Sequence, residues 1–173
     1  MKTISKVLSL GLVLVSFSAT ISAQSNATAK ASAQLLTPLK IERQADMSFG
    51  TIASNLVGGN VTLGFDGSLT ASGEGVRIMN SSTGQAASFL ISGEGSQSIS
   101  ISHPASLVLA DDSESLTVES IMNDLTNSNE GSYVLPEGGS AILKIKGILV
   151  VPALAKKGNY INEGGLEVTV NYN

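Results

Sequence analysis

SAILKIKGILVVPALAKKGNYINEGGLEVTVNYN, residues 140–173, decides the fold. In its last segment Leu166, Val168, Val170 and Tyr172 alternate with Glu167, Thr169, Asn171 and Asn173. At the two-residue period of a strand, this gathers the apolar side chains on one face and predicts a half-buried β-strand. Upstream, Ala141, Leu143 and Ile145 alternate with Ile142, Lys144 and Lys146 until Gly147 interrupts. Ile148 to Val151 is then apolar on both faces, and Pro152 ends the run. Two such strands need a sheet to cover them.

Working outward, the same punctuation recurs. Short strands are expected at 60–65, 68–71, 75–80, 86–92, 98–102, 107–110 and 116–122, separated by Asp66-Gly67, Ser72-Gly73-Glu74-Gly75, Ser81-Ser82-Thr83-Gly84 and Ser92-Gly93-Glu94-Gly95. Each loop holds a Gly able to supply a positive φ. Many short strands at this spacing, with no long segment of helical period, predict an all-β sandwich or barrel. Leu39 and Ile41 suggest an edge strand after Pro38, Leu135 to Gly139 reads as a hairpin turn, and Asn123 to Ser132 reads as a polar, mobile tip.

The first 23 residues have a different character. Lys2 and Lys6 precede an apolar run from Val7 to Phe17, and small residues lead to Ala23. This is the pattern of a secretory signal peptide, with an apolar centre shorter than the roughly 20 residues of a spanning helix. Cleavage after Ala23 would export a chain with no membrane span, destined for the periplasm, the cell surface or the medium. The domain plan is a leader at 1–23, an extension or first strand at 24–36, and a β-sandwich domain at 37–173.

Composition excludes several functions. Ten Lys and Arg less the leader's two leave eight against fourteen Asp and Glu, a net charge of −6 that argues against nucleic acid. There is no Cys, so neither a disulfide nor a lipidated cysteine is available, and apolar burial must hold the fold. A lone histidine, His103, is too few for a zinc set and reads as a strand-end residue. Asp111, Asp112 and Glu114 lack the spacing of a calcium loop and read as a solvated turn. The Gly-rich loops lack the Lys and following helix of a phosphate cradle. The expectation is no catalytic site, no metal and no cofactor.

One further stretch stands out. Ala27, Ala29, Ala31, Ala33 and Leu35 alternate with Thr28, Lys30, Ser32 and Gln34. Alanine is a poor strand former, so this face gains most where it slots into a close-fitting groove. Folded back on its own chain, the segment would be the first strand of a self-sufficient monomer.

The alternating A-x-A-x-A-x-L, then Thr37 to Ile41, Asp46-Met47-Ser48-Phe49-Gly50, Leu135 to Gly139 and the Gly158-to-Tyr172 ending together resemble a family of exported bacterial proteins of unknown function, the DUF4402 type. That family looks pilin-like, with a further likeness to the major subunit of the Mat/Ecp common pilus. The resemblance implies an immunoglobulin-like β-sandwich of mostly antiparallel strands. It also implies assembly by donor-strand complementation, with Ala27, Ala29, Ala31, Ala33 and Leu35 as donor face and Leu166, Val168, Val170 and Tyr172 as the C-terminal assembly strand. The partners implied are copies of the same chain in a head-to-tail polymer, a periplasmic chaperone and an outer-membrane usher. Tyr172 occupies the penultimate position familiar from chaperone–usher pilins, while Gly158 and Gly164 flank the place of their C-terminal glycine. The alternative is a monomeric secreted or surface binding module of adhesin type, presenting Asp111–Ser115 and Asn123–Ser132 to a ligand.

Overall fold

The computed structural model describes residues 24–79, 82–112 and 114–173, and the expected leader at 1–23 lies outside them. Twelve strands and no helix are found among the described residues. Every strand falls in the compact unit Leu35–Asn173. The strands are β1 (Lys40–Ala45), β2 (Ile52–Ser54), β3 (Gly59–Leu63), β4 (Leu69–Ser72), β5 (Val76–Ile78), β6 (Ala87–Ser92), β7 (Ser98–Ser102), β8 (Leu107–Ala110), β9 (Ser115–Asn123), β10 (Glu130–Val134), β11 (Ser140–Val151) and β12 (Thr169–Tyr172). All pairings are antiparallel.

The long strand β11 organises the larger sheet. Along one side its first half pairs with β6, which carries β1, and its second half pairs with β3, which carries β4. Along the other side runs β9, with β8 outside it. Leu143, Ile145, Leu149 and Val151 alternate onto the buried face, as a period of two requires. A second sheet orders β10-β7-β12, and β2 pairs with β5 as a separate ribbon. Ile99 and Ile101 of β7 join Val61, Leu63, Ile91, Val118, Leu143 and Ile145 in one core. The fold is therefore all-β, with two antiparallel sheets sharing a sandwich-like core.

Three local expectations are corrected. Gly147 does not break its strand: the irregularity lies in the partner, where Ser120 and Ile121 oppose Gly147 in a bulge and Ser120 takes φ +50°. The bulge shifts the alternation of β9 by one residue, burying Leu116 and Val118 before it and Ile121 and Asn123 after it. Gly147 is needed for packing, since a Cβ there would meet Val118 Cγ1 at 2.7 Å. Leu135 to Gly139 is not a hairpin turn, because β10 pairs with β7 while β11 lies in the other sheet. It carries the chain between sheets, with Leu135 buried and Gly139 N–H bonded to the Pro136 carbonyl.

The expected mobile tip is a built turn. Asn123 is fully buried, and its Oδ1 accepts from the amides of Leu125 at 3.1 Å and Thr126 at 2.9 Å. Its Nδ2 donates to the Ser128 carbonyl at 2.7 Å and lies 3.2 Å from His103 Nε2. The Nδ1 of His103 is 3.0 Å from the Pro104 carbonyl, so Nδ1 carries the hydrogen and Nε2 accepts from Asn123. The polar composition of 123–132 had suggested solvent exposure, but one buried amide satisfies four partners and fixes the turn.

Candidate functional site

Residues 24–34 form no strand and are exposed, with Leu35 at 97% exposure immediately after them. The whole alternating face Ala27, Ala29, Ala31, Ala33 and Leu35 is thus accessible. Two residues later the chain is anchored. Thr37 donates its amide and its hydroxyl to Glu94 Oε2 at 3.1 and 2.6 Å, and its carbonyl accepts from the Tyr172 hydroxyl at 2.7 Å. The same Tyr172 oxygen accepts from the Glu94 amide at 2.6 Å. The Thr37 hydroxyl, and then its amide, hold the Glu94 carboxyl below its ordinary range. The root of the N-terminal segment, the β6–β7 loop and the C-terminal strand are therefore one hydrogen-bonded knot.

The predicted assembly strand 166–172 is shorter in the structure. Only Thr169–Tyr172 pairs, as an edge strand on β7, while Leu166 and Val168 precede it and pack against the core without a ladder. The alternation marked which side chains turn inward. It could not show where hydrogen bonding begins.

A groove lies over the finishing half of β11. It encloses about 1330 Å³, with Leu107, Leu109, Leu116, Leu149 and Val151 as apolar floor and Met47, Phe49 and Ile52 on a facing wall. Further lining comes from Ala155 to Gly164 and Leu166, within a strap, the irregular run from Pro152 to Val168. The strap is pinned at two places. Glu114 Oε2 accepts from the Lys156 amide at 2.9 Å, and Oε1 lies 3.3 Å from Lys156 Nζ. The Tyr160 hydroxyl sits 2.8 Å from the Lys156 carbonyl and 3.4 Å from Glu114 Oε2. The Lys156 amide lowers the pKa of Glu114, whereas partial burial and the facing Glu114 charge raise that of Tyr160.

The second pin lies at β8. Ile161 exchanges both backbone hydrogen bonds with Ala110 at 2.9 Å, and Asn162 Nδ2 donates to the Val108 carbonyl at 2.6 Å. Asn162 Oδ1 in turn accepts from the Gly165 amide at 2.7 Å.

The acidic turn is thus engaged. Glu114 anchors the strap, the Asp111 carboxylate stands against Gly158, and no group of three or more His, Cys, Asp or Glu among the described residues is placed to hold a metal ion. His103 is bonded to Asn123 within the fold. No helix among the described residues is long and apolar enough to cross a membrane. Reasoning from sequence missed the groove and its strap. The only signal for them was the 14-residue stretch Pro152–Gly165, rich in Gly, Asn and Lys and without alternation, lying between two predicted strands.

These features describe a β-sandwich-like domain with an accessible N-terminal segment and an apolar groove. Residues 39–172 match the family described as a domain of unknown function, DUF4402, and the chain belongs to that family. No curated protein and no solved structure matches it.

Proposed function

We propose that the protein is an exported, non-enzymatic structural subunit of pilus-like type, in which residues 27–35 of one copy complete the β-structure of the next. The observation that carries this reading is the alternating segment itself. It has the pattern of a strand and an apolar face, yet it is exposed and enters no strand pairing among the described residues. Main-chain pairing along an edge, with alternate side chains entering a groove, is a general mode of chain recognition. A contact between an extension on one copy and a groove on another is head-to-tail and extends into a filament. The pilin-like resemblance, an immunoglobulin-like topology, and a periplasmic chaperone and usher as partners belong to the same reading.

To test it, the full chain is expressed with its leader, and the exported product is run on a denaturing gel with and without heating. Strand exchange predicts a heat-sensitive ladder that disappears in the A29E/A31E variant, whose monomer keeps the wild-type melting temperature. A single monomer band from the unsubstituted chain would remove the reading in favour of a monomeric surface binding module. A destabilised A29E/A31E monomer would place 27–35 inside its own sandwich, through burial of unpaired charge.

A further inference from the structure

The strap does for β8 what a neighbouring strand would do. In β8 the odd residues face β9, as the bond from the Asp111 amide to the Glu114 carbonyl shows, so the backbone groups of Val108 and Ala110 face outward. These outward groups are the ones the strap engages: both of Ala110 by Ile161, and the Val108 carbonyl by the Asn162 side chain. Leu107 and Leu109 meanwhile point into the groove, while Val108 is half exposed on the opposite face. An edge of this kind, with an apolar floor beside it and single-residue contacts along it, is suited to strand addition.

The geometry also decides whose strand can reach it. Thr37 is tied to Glu94, two residues beyond Ser92, which pairs with Ser140 at the start of β11. Leu107 pairs with Val118, and Val118 pairs with Leu149, so β8 lies nine or more residues further along β11. That separation is about 30 Å at the rise of a strand. Leu35 is two residues from Thr37 and reaches about 7 Å, and Ser32 reaches about 17 Å. Ala27, ten residues away, reaches about 33 Å, so the chain's own segment could bring only its first residue to the near end of its β8 and cannot lie along it, whereas that of a second copy can. With a methyl group at most inward positions, it would lie beside Leu107 and Leu109 and extend the groove floor without filling the groove.

We infer that the outer edge of β8, Leu107–Ala110, is where residues 27–35 of a second copy add as a strand, and that Ile161 and Asn162 are a built-in placeholder displaced by it. This rests on the subunit reading above and assigns its acceptor site.

The chain has no Cys, so introduced cysteines report without background. Ala110 and Ile161 form a directly opposed antiparallel bridge, a separation that a disulfide can span. The exported full chain carrying Ala110→Cys and Ile161→Cys is run unheated on a denaturing gel, assembled with and without reductant. The expected result is loss of the ladder when the strap is locked and its return when the disulfide is reduced. A ladder equally strong in both states would overturn the placeholder while leaving strand exchange standing.

If this variant forms no ladder in either state, a second pair decides. Val108→Cys is combined in turn with Lys30→Cys, Ser32→Cys and Gln34→Cys, whose side chains would share the outer face with Val108 in the added strand and, no more than about 25 Å from Thr37, cannot reach it within one chain. Disulfide-linked multimers support the assignment. Their absence, in a preparation where the unsubstituted chain forms a ladder, overturns it. A monomeric unsubstituted chain removes the subunit reading and this inference together.

Discussion

The two halves of β11 share one face and one alternation, yet they are roofed differently. Over the first half lies the β10-β7-β12 sheet, whose upper limit is marked by His103, just beyond β7, bonded to Asn123 opposite Ile145. Leu143 and Ile145 are fully buried there. Over the second half lies the strap, held by Glu114, Ile161 and Asn162, with about 1330 Å³ of space beside it. A roof made of strands satisfies its backbone by its own ladder, and its side chains can close on the core. A roof made of irregular chain depends on separate polar pins, and here a cavity remains beneath it although Leu149 and Val151 are buried.

The sharpest way to break this contrast is to remove the same kind of atoms from each half. Ile145→Ala in the closed half should cost about 2–5 kcal/mol, measured from the denaturant midpoint, because it leaves a cavity. Leu109→Ala on the groove floor should cost no more than about 1.5 kcal/mol, since Leu109 is itself only partly buried and lines the cavity. Equal losses would mean that the groove is closed in solution. Asn123→Ala should cost about 1–3 kcal/mol by orphaning the amides of Leu125 and Thr126 and the ring of His103. Its effect on amide exchange should be concentrated at residues 124–129.

Tyr172→Phe removes the bonds to Thr37 and Glu94 and should cost about 1 kcal/mol, with faster exchange of the Thr37 amide as a local readout. The strap gives the pH-dependent case. Glu114 has a lowered native pKa, so the stabilisation it lends the strap is full at neutral pH. It starts to fall below the ordinary glutamate value and is lost as pH passes through the lowered native one. Exchange at Lys156 and Ile161 should accelerate over that range in the wild type and lose most of this pH dependence in Glu114→Gln. The smallest effect belongs to Arg43→Ala. Its pair with Asp46 at 2.8 Å is exposed on both sides and should contribute no more than about 0.5 kcal/mol to a denaturant midpoint.

Much of the fold was legible because strand patterns are local. The expected strands at 86–92, 98–102 and 107–110 lie within a residue of β6, β7 and β8. Strand β10 was hidden because Glu130 to Val134 contains Gly and Ser where a strand signal needs apolar residues, and it gains its place only by pairing with β7. The three-residue β2 is too short for any period to register. The site was less legible still. The alternation of Ala27 to Leu35 is visible in the sequence, but the groove exists only because β8, β9 and β11, far apart in the chain, set Leu109, Leu116 and Leu149 side by side. Tyr172 was singled out by its penultimate position. Its bond to Thr37, 135 residues away, has no sequence signature.

By itself the sequence determined that this is an all-β chain with Gly-punctuated turns, an apolar core without disulfides and a small-residue alternating segment ahead of its domain. Each of these follows from the preferences of neighbouring residues and from a period of two. Only the tertiary structure decided which strands share a sheet, where β9 bulges against Gly147, and that the finishing half of β11 is roofed by a pinned strap. Those depend on register between strands distant in sequence, and register is set by how whole faces pack together.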